Sequence, residues 1–144
     1  MNILLVEDNP ADMRMLKDLF EESKKTPSLF WVTDGYEALD YIYQRNEYKG
    51  AALPDVILLD LGLPRISGYE VLKELKEQPH LAHIPVVILS TSCNPLDRKQ
   101  CEAFGADVFF SKPHSLKGYE ELVEQLSGLE LPRLAAASRQ KQAM

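Results

Sequence analysis

The chain predicts a doubly wound α/β domain, a parallel sheet with helices on both faces. Three observations carry this. Short apolar runs recur five times, at residues 3–6, 29–32, 56–59, 86–89 and 108–110. None alternates with polar residues, and strands covered on both faces read that way. Helix-period stripes fill the intervals, so strand and helix alternate along the chain.

The elements follow in order. The first run leads to Asn9-Pro10, an N-cap before a proline at the first helical position. Met13, Leu16, Leu19 and Phe20 then form one apolar stripe. The second run leads to Asp34 and Glu37 at capping-box spacing, and to a stripe of Ala38, Leu39 and Ile42. Residues 45–54 read as a long surface loop. The third run leads to a second such box, Ser67 and Glu70, and to Val71, Leu72 and Leu75. Pro79 follows that helix and Pro85 precedes the fourth run. Asn94-Pro95 starts a fourth helix over 96–104, the weakest stripe, consistent with a mobile element or one that uses its outer face. Leu116, Tyr119, Val123 and Leu126 form the last stripe. One domain over 1–130 and a short basic tail over 131–144 are expected, because 144 residues suffice for one core.

Composition excludes several classes. No apolar run approaches the roughly 20 residues that cross a bilayer. The N-terminus turns acidic at once, unlike a secretion signal. Cys93 and Cys101 make no disulfide framework and read as reduced thiols of a cytoplasmic protein. Residues 1–130 hold 13 basic and 22 acidic residues, a net −9, whereas the tail carries +3. An acidic body argues against direct nucleic-acid binding, which needs a basic face.

In an open α/β sheet, ligands bind beyond the carboxyl ends of the strands. There this chain carries Glu7-Asp8, Asp60, Ser90-Thr91 and Lys112-Pro113. Clustered carboxylates repel one another, and a hard cation such as Mg²⁺ relieves that. A bound Mg²⁺ would also neutralise charge on a transferring phosphoryl group. Lys112 could pair with phosphoryl oxygens, and Ser90 could hydrogen-bond one of them. Asp60 ends the central run and is the natural carboxylate nucleophile. Singly, each residue has an ordinary reading: a helix-start acid, a snorkelling lysine, turn hydroxyls. Their joint placement at the strand ends favours the chemical one.

Other chemistries fit less well. No G-x-x-x-x-G-K-[ST] motif occurs. An acidic first loop would repel a dinucleotide phosphate and disfavours a flavin site. Phosphatases with an aspartate nucleophile generally carry a second Asp two residues on, where Gly62 stands. His80, His83 and His114 lack zinc-ligand spacing with the cysteines.

The motifs LLVEDNP at 4–10, DVILLDLGLPRISG at 55–68, PVVILSTS at 85–92 and GADVFFSKP at 105–113 resemble the receiver domains of two-component response regulators. The steps from Asp60 to Ser90 and from Ser90 to Lys112 match that family. The resemblance implies a flavodoxin-like five-stranded sheet of order 2-1-3-4-5. It implies that Asp60 accepts a phosphoryl group from a histidine kinase or phosphotransfer protein. Asp8 and Asp60 would ligate Mg²⁺ directly, Glu7 through water, and Gly62 through its backbone carbonyl. Ser90, followed by Thr91, matches the switch hydroxyl, Lys112 the phosphate-binding lysine, and Phe109 the aromatic switch position. Pro64 and Gly68 match the turn after the acceptor, and Lys112-Pro113 would be a cis peptide. The long 45–54 loop, the LSTS strand end and the lack of an output domain resemble the subgroup that serves phytochrome-type kinases.

On this reading the protein is a phosphoacceptor switch that acts only on its own phosphorylation state, not an enzyme with an external substrate. An unidentified downstream protein would read the switched surface, with no membrane involved. Phe109 lacks a hydroxyl, so its inward ring should be populated even without phosphate. A partner or a second subunit, as in a homodimer, would hold it outward. The alternatives are a receiver that is never phosphorylated and serves as an interaction module, against which Glu7, Asp8, Asp60 and Lys112 argue, and an aspartyl phosphotransferase, against which Gly62 argues.

Overall fold

Every apolar run forms a strand, and every stripe a helix. The computed structural model describes residues 2–23, 28–91 and 94–128. Its elements are β1 (Asn2–Val6), α1 (Pro10–Glu22), β2 (Ser28–Val32), α2 (Gly35–Ile42), β3 (Val56–Asp60), α3 (Gly68–Glu77), β4 (Val86–Ser90), α4 (Pro95–Ala103), β5 (Val108–Ser111) and α5 (Leu116–Gly128). The sheet is wholly parallel, in the order β2-β1-β3-β4-β5. The tail at 131–144 lies outside the described residues, as does Cys93.

Period-2 alternation divides the strands between two cores. Leu4 and Val6 of β1, Ile57 and Leu59 of β3, and Val86 and Ile88 of β4 face α2, α3 and α4. Ile3, Leu5, Val56, Leu58, Val87 and Leu89 face α1 and α5. β3 and β4 are buried throughout. The outer strands depart from the expected two-sided burial, with Phe30 of β2 45% exposed and β5 only half-buried. An edge strand has a neighbour on one side only, so its helices cannot cover it fully. Phe30 instead packs against Tyr41 and Tyr48, with ring centroids 4.7 and 5.9 Å away. Tyr48 belongs to a 3₁₀ turn over Asn46–Tyr48, inside the stretch expected to be plain loop.

The caps behave largely as read. The side chains of Asn9 and Asn94 accept from the first backbone N–H groups of α1 and α4. Ser67 and Asp34 accept from Glu70 N and Glu37 N. The Asp34 box is not closed in the expected way, because the Glu37 carboxylate accepts from the backbone and hydroxyl of Thr33. No cis peptide bond occurs among the described residues, so Lys112-Pro113 is trans, contrary to expectation. The local preference between the two isomers is only about 0.5–1 kcal/mol, so sequence alone does not decide it. No helix among the described residues is long and apolar enough to cross a membrane.

Candidate phosphoacceptor and metal site

The direction in which strands are added to the sheet reverses between β1 and β3. After β1 the chain crosses to β2 on one side, and then returns to β3 on the other. Such a switch point opens a crevice at the strand carboxyl ends. Val6 pairs with Leu59 in register, so Glu7 and Asp60 come next on adjacent strands. Alternation turns both toward the α1/α5 face, one step beyond Leu5 and Leu58.

Glu7, Asp8 and Asp60 each offer a carboxylate oxygen, and these oxygens lie within 4.8 Å of one another. Glu7 is wholly buried, Asp60 nearly so, and Asp8 is exposed. The Lys112 ammonium, also buried, balances them. Its Nζ is 2.7 Å from Glu7 Oε2, 3.1 Å from Asp60 Oδ2 and 3.3 Å from Asp12 Oδ2. Gly62 N–H donates to Asp60 Oδ1 at 3.0 Å, so both acceptor oxygens are fixed. Glu7 Oε2 accepts no well-aligned hydrogen bond despite its burial.

Burial pushes the Glu7 carboxyl up to about 7, against the pull of Lys112 and with the Asp60 charge adding to the rise. Burial alone would lower the Lys112 ammonium, but its contacts with Glu7 and the Asp60 charge outweigh that and hold it above its ordinary value. The residues fit a divalent cation. They offer hard oxygens on two strands, one buried oxygen without a good donor, and an open face at exposed Asp8.

The other expected residues surround this centre. Lys112 N donates to Ser90 O at 2.6 Å, which brings the ends of β4 and β5 together. Ser90 is buried and Thr91 exposed. Phe109 lies beside Ile88 in register, half-buried against the α3/α4 core. Gly68 N donates to Leu61 O at 3.1 Å and closes the turn that holds Pro64. Pro113 meets Gly118, where a Cβ would come within 2.5 Å of the proline ring.

The sequence reading missed three contributors. Asp12 reaches Lys112 from the first turn of α1. Tyr119 is buried on α5, and burial together with the Asp12 charge pushes its hydroxyl up to about 12. Trp31 Nε1 donates to the Glu7 carbonyl at 2.6 Å. An acid in the first turn of a helix that starts at the functional edge was the available signal for Asp12.

The comparisons with known proteins agree with this geometry. The chain matches the response regulator receiver domain family over residues 3–126. It is 37% identical over 137 residues to the response regulator Rcp1 of Synechocystis sp., covering 94% of this chain and 93% of that one. Among solved structures, the phosphorylated cyanobacterial phytochrome response regulator RcpA is similar at 40% identity and a TM-score of 0.84, covering 88% of this chain and 90% of that chain. The Mn²⁺-bound form of Rcp1 is similar at 36% identity and a TM-score of 0.85, covering 90% and 94%. With its sheet order, acidic cluster and matched length, this chain belongs to the response regulator receiver domain family.

Proposed function

We propose that Asp60 takes a phosphoryl group from a histidine kinase or phosphotransfer protein, with Mg²⁺ held by Asp8, Asp60, the Gly62 carbonyl and, through water, Glu7. One observation carries this reading. Asp60 ends the central strand with Oδ1 held by Gly62 N–H and Oδ2 by Lys112, next to two further carboxylates. In the reaction, an Asp60 oxygen forms the new bond to phosphorus as the bond to the donor's leaving atom breaks. A bound Mg²⁺ would neutralise charge on the phosphoryl oxygens. Lys112 is already within hydrogen-bond distance of Asp60 and would transfer a donor to the phosphoryl group.

Ser90 would then bond another phosphoryl oxygen, with Thr91 beside it. Its movement would bias the position of the Phe109 ring, the Ser90–Phe109 pair acting as a two-state element. Pro64, Gly68 and Pro113 shape the turns that hold this edge. Likeness to RcpA supports a phytochrome-type kinase as the donor. The basic segment 131–144 would be a separate tail, and a homodimer or downstream protein would read the switched face. The test is intact-mass analysis after incubation with acetyl phosphate and Mg²⁺. One added phosphoryl group is expected, absent in Asp60→Asn. Equal labelling of that variant would refute the assignment.

A further inference from the structure

Lys112 has three N–H donors and faces three carboxylates: it donates to Asp60 and Asp12 and pairs with Glu7 at 2.7 Å. Two of these belong to the cluster that can hold a cation, and Asp12 does not. A cation drawing Glu7 and Asp60 to itself would free the Lys112 ammonium from both, while the bond to Asp12 would persist. We propose that Asp12 is a positioning residue, which pins one N–H of Lys112 so that the other two point at an incoming phosphoryl group. This rests on the phosphoacceptor reading above.

The packing supports it. Asp12 stands in the first turn of α1 and Lys112 just beyond β5, 100 residues apart in sequence. Helix-dipole stabilisation explains an acid anywhere in that turn, but not its approach to Lys112. Tyr119, buried on α5, stands close enough to Asp12 for the carboxylate charge to act on its hydroxyl. A lysine stem has four rotatable bonds, so anchoring one N–H removes much of the freedom that would otherwise be lost on phosphorylation.

The experiment titrates the full chain with Mg²⁺, and then with beryllofluoride in saturating Mg²⁺, followed by NMR. Asp12→Ala should weaken beryllofluoride binding on the order of fivefold. Asp12→Asn, which keeps shape and an acceptor oxygen, should lose less. Mg²⁺ affinity should change less than beryllofluoride affinity in both. In a Lys112→Met background the Asp12→Ala effect should vanish, because Asp12 acts through Lys112. Tighter binding in both Asp12 variants would make Asp12 only a surplus negative charge and overturn the proposal. A lower melting temperature with unchanged affinity, or an effect that survives in Lys112→Met, would overturn it too. If the wild-type chain binds Mg²⁺ but no beryllofluoride, the phosphoacceptor reading itself fails.

Discussion

A Cβ on residue 68 would lie 2.4 Å from the Asp60 carbonyl oxygen and 2.7 Å from the Leu61 Cα. Both obstacles are backbone, so neither can rotate away. Gly68→Ala should therefore destabilise the fold by about 1–3 kcal/mol, measured by urea unfolding. It should also slow labelling of Asp60, because relief of the clash moves the acceptor. Glu7, Asp8, Asp60 and Lys112 were legible from sequence, since each follows an apolar run and strand ends define the edge. Asp12 and Tyr119 were not. The α1 stripe shows which residues face the core, but not which polar neighbour meets a lysine from β5. Lys76 was hidden for the same reason. Its ammonium donates to the Ala82 and Ile84 carbonyls at 3.1 and 2.9 Å and pairs with Asp107.

Among the helices, α4 has the slightest hold on the core. Cys101 is its one buried residue, and Leu96 at its start is 68% exposed. Tyr69 of α3 tethers it. The Tyr69 hydroxyl donates to Asp97 Oδ1 at 2.7 Å, and the Tyr69 ring stands edge-on to Phe104 at 6.4 Å. Burial and the bond to Asp97 raise the Tyr69 hydroxyl well above its ordinary value, so it stays a donor at any physiological pH. Tyr69→Phe keeps the ring and removes that bond, at a cost of about 0.5–1.5 kcal/mol. Amide exchange should then quicken over residues 95–103 and stay unchanged in β1 and β3. Uniform quickening would mean that α4 unfolds only with the whole domain. The weak α4 stripe was visible in the sequence. Its tether was not, because Tyr69 and Asp97 lie 28 residues apart and neither breaks a pattern.

Over the whole molecule, the alternating apolar runs determined sheet and layers, because each strand buries whatever its period-2 faces present. Strand order followed from the family likeness, since periodicity does not say which strands are neighbours. The design leaves negative charge concentrated at one edge of an acidic body, relieved there by Lys112. A divalent cation that binds only the folded state should stabilise it by mass action, about 2.7 kcal/mol at a hundredfold excess over its dissociation constant. The melting temperature should rise with Mg²⁺ and fall back with EDTA. Asp8→Ala should abolish most of the rise, because Asp8 is the exposed member of the cluster. Identical melting curves in Mg²⁺ and EDTA would mean that no cation binds there.

The bond from Trp31 to the Glu7 carbonyl gives this chain a built-in optical gauge. Trp31 is the sole tryptophan, so its emission is free of interference from other indoles. An indole's excited state responds to the electric field along its ring, and this one is tied to the backbone of a residue in the acidic cluster. Arrival of a doubly charged ion or a phosphoryl group changes that field without any dye being attached. The Mg²⁺ titration that raises the melting temperature should therefore also shift the fluorescence, with the same midpoint, and Asp8→Ala should remove most of both signals together.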